Sequence, residues 1–177
     1  MIFPVFYFGP VSYFKELIDA NNPYFEVHEN FPKQTYRNRC YIQGANGKLR
    51  LAIPVRHNGK RAMKEIEISY ESNWQKEHFK SLVSAYQSSP YFEYYEDGIA
   101  EIYARKEKFL LDLNFKTLEF IDAKLNLNLN LANRTESIKH RMKIQISETV
   151  SRPNLKQRLK CLNICRCSTK NSDSCLI

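Results

Sequence analysis

All 11 Tyr, all 11 Phe and the single Trp of this chain lie in its first 120 residues, Phe120 being the last. Aromatic side chains bury more apolar surface than any others, so whatever core forms is built from that stretch. The full 177 residues suffice for one domain with a sizeable core and are too few for two ordinary ones.

Charge divides the chain at nearly the same place. Residues 1–124 hold 17 Lys and Arg against 16 Asp and Glu, whereas residues 125–177 hold 10 against 3. The net charge of +8 therefore belongs almost wholly to the second part. A basic stretch of this kind reads more readily as a solvated segment than as a specific surface, and no nucleic-acid partner is expected for the first part. Cysteine follows the same division. Cys40 stands alone in the body, which suits a reducing compartment, and Cys161, Cys165, Cys167 and Cys175 crowd the end in a spacing that matches no zinc or disulfide framework. No metal site and no cofactor is expected. No stretch reaches the roughly 18 apolar residues that span a bilayer, and the apolar start has no basic leader or cleavage site, so a cytoplasmic protein without a membrane span is expected.

Hydrophobic patterning places the elements. Ile2 to Phe8 is a continuous apolar run, read as a buried strand that Gly9-Pro10 ends. Ser12 opens a helix with Phe14, Leu17 and Ile18 inward, and Tyr24 to His28 reads as a second strand. Residues 35–43 and 48–55 form a hairpin around Gly44-Ala45-Asn46-Gly47. Alternation puts Tyr36, Asn38, Cys40 and Ile42 on its buried face and Arg37, Arg39 and Tyr41 on the other. Residues 65–70 alternate as a half-buried strand. Trp74, His78, Leu82, Ala85 and Tyr86 recur at helical spacing over 73–87, and a further helix is expected over 97–113. Leu125 to Leu131 alternates Leu with Asn, as either a strand or low-complexity sequence. The fold class implied is α/β or α+β, a mixed sheet with a central hairpin and packed helices, followed by a poorly ordered tail. The domain is placed at 1–124 and the tail at 125–177.

Four groups of residues could carry chemistry. His28 beside Glu29 follows a strand end and is either a base with its orienting carboxylate or a polar loop. Lys33, Arg37 and Arg39 share one face of an extended chain, which either holds phosphate or carboxylate or is simply solvated. Asn38 falls on the buried face, where an amide must find partners, so it is a structural hub or part of a site. His78, on the apolar face of its helix, is either a satisfied core residue or a catalytic one. The run Tyr91 to Tyr95 has no interleaved basic residues and reads as packing rather than nucleic-acid stacking.

Several blocks in register resemble the WbqC-like family. They include Tyr7-Phe8-Gly9-Pro10-Val11-Ser12-Tyr13-Phe14, His28-Glu29-Asn30, Lys33-Gln34-Thr35-Tyr36-Arg37-Asn38-Arg39-Cys40, Gly44-Ala45-Asn46-Gly47, Ile53-Pro54-Val55, Trp74-Gln75 with His78, and Ser88-Ser89-Pro90-Tyr91-Phe92-Glu93-Tyr94-Tyr95. The resemblance covers residues 1–122, and beyond them the chain is expected to depart from the family, as a frameshifted or replaced C-terminus would.

What the resemblance implies is surface-polysaccharide or O-antigen biosynthesis, with a glycine-transferring or other amide-forming step on an activated sugar. It makes polar residues of the matching blocks the site candidates. His28, Glu29 and His78 are the catalytic candidates, and Lys33, Gln34, Arg37, Asn38 and Arg39, with Tyr86 on the helix, are the substrate-binding ones. The implied partner is a nucleotide-sugar or a carrier-linked glycan. The alternative is a non-catalytic protein that binds a partner enzyme of such a pathway.

Overall fold

The computed structural model describes residues 1–134 except Asn21, His57, Asn58 and Asn133. The four clustered cysteines and the expected poor order of the tail lie outside the described residues. The elements run β1 (Ile2–Pro4), α1 (Val11–Asp19), β2 (Tyr24–Glu26), β3 (Arg39–Gly44), β4 (Gly47–Ala52), a 3-10 turn (Met63–Glu65), α2 (Trp74–Tyr86), α3 (Phe92–Ala104) and α4 (Leu110–Leu125). The α/β class holds. Parallel and antiparallel pairing both occur, but in two separate two-stranded sheets, β1–β2 and β3–β4.

The first strand is shorter than its apolar run. Only Ile2–Pro4 finds a partner, Tyr24–Glu26. Val5, Phe6, Tyr7 and Phe8 are as deeply buried as the run suggests, but they leave the sheet, and Phe8 takes a left-handed φ of 43° where the chain turns toward α1. The helix begins at Val11 without a capping side chain, so Ser12 is not its cap.

In the hairpin, Cys40 pairs with Leu51 and Ile42 with Leu49, and Cys40 and Ile42 are buried as alternation requires. Gly44 pairs with Gly47 across Ala45-Asn46, and Gly47 supplies the positive φ of 108° that closes the turn. Residues 35–38 belong to a turn ahead of β3 rather than to the strand.

Ile66 and Ile68 point inward as the alternation of residues 65–70 predicts, yet this segment forms single bridges instead of a strand. Val55 pairs with Ile68 and Glu67 with Phe109. The second pairing explains a correction. Residues 97–113 are not one helix, because Arg105 to Phe109 runs extended so that the Lys108 carbonyl accepts from Ile68 N–H and Leu110 N–H donates to Ile66. The aromatic run Tyr91 to Tyr95 consequently lies at the start of α3.

Helix α4 is the centre of the core. Leu110, Leu111, Leu113, Phe115, Leu118 and Ile121 are buried on it, with two fully enclosed polar residues, Asn114 and Thr117. Asn114 Nδ2 donates to the carbonyls of Val5 (3.3 Å) and Arg37 (2.8 Å), while Thr117 donates to the Asn114 carbonyl. After α4, the leucines at 127, 129 and 131 pack on the core while the asparagines between them stay exposed. Arg134 bridges to Phe25 beside β2 and lies 4.3 Å from the Phe115 ring centroid. Packing thus continues past residue 124.

Helices α3 and α4 meet at Gly98, where an added Cβ would stand 2.4 Å from the edge of the Phe120 ring. Gly98→Ala should therefore lower stability by about 1–2 kcal/mol, overpacking outweighing the better helix propensity of Ala. Thermal melts would show this, with Phe120→Leu restoring most of the loss in the double variant.

Candidate functional site

Helix α2 carries Trp74, His78, Leu82 and Tyr86 on its buried face, as its periodicity requires. The imidazole of His78 is almost wholly enclosed. Its Nδ1 lies 3.0 Å from the hydroxyl of Tyr7, which lies 2.5 Å from the hydroxyl of Tyr103 on α3. Trp74 meets the same ring edge-on, with centroids 5.1 Å apart, and anchors itself by donating Nε1–H to the Ser69 carbonyl. Gln75 donates to the carbonyls of Tyr103 and Arg105, fastening the end of α3 to α2.

Burial holds the His78 pKa down to about 4, and a hydrogen bond to the backbone of Ala52 offsets only part of that. The ring is neutral at pH 7, with one N–H and one lone pair. With the N–H given to Ala52, Nδ1 accepts from Tyr7, and the Tyr7 oxygen accepts from Tyr103, so the tautomer follows from the network. Burial pushes both tyrosines well above the ordinary phenol range, and it pushes the Cys40 thiol beside them up to about 12. All three groups keep their protons at neutral pH, which makes Cys40 a poor nucleophile.

His78 also lines an open groove of about 360 Å³ between β4 and α2. The hairpin side supplies Leu49, Arg50, Leu51, Ala52 and Pro54, and the helix side Ser72, Trp74, Glu77, His78 and Ser81. Of the candidates named from sequence, His78 alone lines it.

The others lie elsewhere. His28 is exposed, and its backbone N–H donates to the Glu26 carboxylate. Glu29 and Arg37 come together as a two-pronged ion pair with both side chains largely buried, and the guanidinium also lies over the Phe6 ring. Glu29 thus orients Arg37, not His28, and Arg37 already holds a carboxylate. Lys33 and Gln34 are exposed on the same loop, Gln34 with φ of 64°. Asn38 is a structural hub in part. Its backbone carbonyl accepts from Ile53 N–H at 2.7 Å and its amide donates to the Ile53 carbonyl, while its buried Oδ1 has no donor among the described residues. Arg39 begins β3, half-buried, with Nε shut from solvent and no acceptor among the described residues. Tyr86 is buried at the far end of α2.

Sequence reasoning missed Tyr7, Tyr103, Arg50, Glu77 and Asn114. A signal existed for Asn114, a polar residue on an apolar helical face, but ending the helix at 113 hid it. Nothing local marks the tyrosines as partners of a residue 71 or 25 positions away.

Among the described residues, no group of His, Cys, Asp and Glu could hold a metal ion, and no helix is long and apolar enough to cross a membrane. No curated protein matches the chain, and no solved structure does. The WbqC-like protein family model matches residues 6–170, running on past residue 122, where the sequence reading ended its resemblance. With nearly its whole length matched, the chain belongs to the WbqC-like protein family.

Proposed function

We propose that the protein is a transferase that forms an amide or related acyl bond on an activated sugar in surface-polysaccharide biosynthesis, with the groove between β4 and α2 as its substrate site. The observation that carries this reading is a neutral histidine lining an open groove of about 360 Å³, a volume suited to a sugar-sized ligand. Acyl transfer to an amine or hydroxyl needs a group to take the proton that the nucleophile loses. His78 is unprotonated at neutral pH, and taking that proton at Nδ1 requires it to release the hydrogen bond from Tyr7. Ser72, Ser81 and Glu77 offer hydrogen-bonding partners for sugar hydroxyls or an amino group. The loop from His28 to Arg39 acts as support, its Glu29–Arg37 pair fixing the segment that leads into the hairpin.

A second reading, a non-catalytic partner-binding protein, draws on a specific observation. Both His78 nitrogens are engaged within the protein, and His28, Glu29, Arg37 and Asn38 do not reach the groove. Incubating the protein with amino-sugar nucleotides and activated glycine, followed by mass detection, separates the two. An acylated sugar that disappears with His78→Gln, at unchanged melting temperature, supports the transferase. Absence of any acylated product across donors favours the binding protein.

A further inference from the structure

We infer that the outward face of the β3–β4 hairpin is an anion site for a diphosphate-bearing ligand. Directly opposed residues of an antiparallel pair share a face. Cys40, Ile42 and Leu51 are buried on one face, where Leu49 at its end is exposed, so the pairs Arg39–Ala52, Tyr41–Arg50 and Gln43–Lys48 form the other. That face carries three cations, Arg39, Lys48 and Arg50, and no acidic residue. The ion pairs among the described residues, Glu29–Arg37, Lys60–Glu67, Glu101–Arg105 and Glu107–Lys116, use none of them. Lys48 stands 4.5 Å from the centroid of Tyr41, and Arg39 Nε is shut from solvent without an acceptor among the described residues.

Strand geometry sets the spacing. Lys48 and Arg50 are about 6.7 Å apart along β4, and Arg39 is diagonal to Arg50 at about 7–8 Å. Like charges held this close repel, and a counter-anion relieves them. One phosphoryl group reaches one or two of the three, whereas two linked groups engage the whole set, the arginines with paired donors. The charge balance of the domain favours a small anion over a polyanion, since residues 1–124 hold 17 cationic against 16 acidic side chains. Arg50 also lines the groove that holds His78. A ligand with its diphosphate on this face therefore extends a sugar past Arg50 into the groove. That last step rests on the transferase reading, and the anion site itself does not.

Calorimetric titration of the whole protein at low salt tests the site directly. Inorganic pyrophosphate should bind at least about tenfold more tightly than orthophosphate, and Lys48→Gln and Arg50→Gln should each weaken it about tenfold, the effect of losing one charge-assisted hydrogen bond. Lys64→Gln, an exposed cation on the 3-10 turn, should leave it unchanged. Equal affinity for the two anions, or an equal loss with Lys64→Gln, overturns the proposal. Sugar acylation undiminished by Lys48→Gln and Arg50→Gln overturns the extension of the ligand from this face into the groove. Pyrophosphate binding with the expected variant pattern but without acylation upholds the anion site and removes only the transferase reading.

Discussion

Asn114→Leu is expected to lower the unfolding free energy by about 3 kcal/mol. The substitution keeps the heavy-atom branching, with a somewhat bulkier side chain, and removes the one side chain that donates to both the Val5 and Arg37 carbonyls. Asn114 and Val5 are fully enclosed, and water does not readily replace the lost donor there. An unsatisfied buried carbonyl costs about 1–3 kcal/mol, and two are created. Removing Asn114 Oδ1, which has no donor among the described residues, returns a part of that. Urea denaturation at constant slope measures the difference. A change below about 0.5 kcal/mol would mean that the two carbonyls have other partners and that Asn114 is not the clasp between the N-terminal segment, the hairpin approach and α4.

The second large effect is acid sensitivity centred on His78. In the unfolded chain this histidine takes up its proton near pH 6.5, and in the folded protein only near pH 4. Between those values the unfolded state binds more protons, so stability is highest above about pH 6.5 and declines as the pH falls toward 4. At about 1.4 kcal/mol per pH unit of difference, the full loss approaches about 3 kcal/mol. Carboxylates titrate in part of the same window, so the comparison is with His78→Gln, which can accept from Tyr7 and donate to Ala52 but does not titrate. The variant should show a flatter stability curve between pH 6.5 and 4. An unchanged slope would mean that His78 is not held neutral by its surroundings.

How much of this was readable beforehand depended on how local the cause was. Helix α2 was legible to within a residue at each end, because its apolar spacing is the spacing of its burial. The hairpin was legible in its turn and inner face, because Gly47 meets a backbone demand and Cys40 and Ile42 alternate strictly. The break at Arg105 to Phe109 was not, since those residues are extended only because Ile66 to Ile68 offers them backbone partners from about 40 residues away. The site divided in the same way. That His78 faces inward follows from its helix. That Glu29 neutralises Arg37 does not follow from their spacing, and it takes Arg37 out of the expected row of cations, leaving Arg39 to stand with Lys48 and Arg50 on the hairpin.

The clasp at Asn114 and the hydroxyl contact between Tyr7 and Tyr103 also bear on how the chain matures during synthesis. Val5 and Tyr7 are made well before their polar partners, which sit 109 and 96 residues later. Phe3 and Phe6 can meet Tyr13 of α1 early, but the Val5 carbonyl and the Tyr7 hydroxyl wait for α3 and α4. Closing so long a loop is slow relative to forming any one helix. Release ahead of α4 would therefore yield a product in which the Val5 carbonyl lacks Asn114 and the N-terminal segment lacks the helix at the centre of its core.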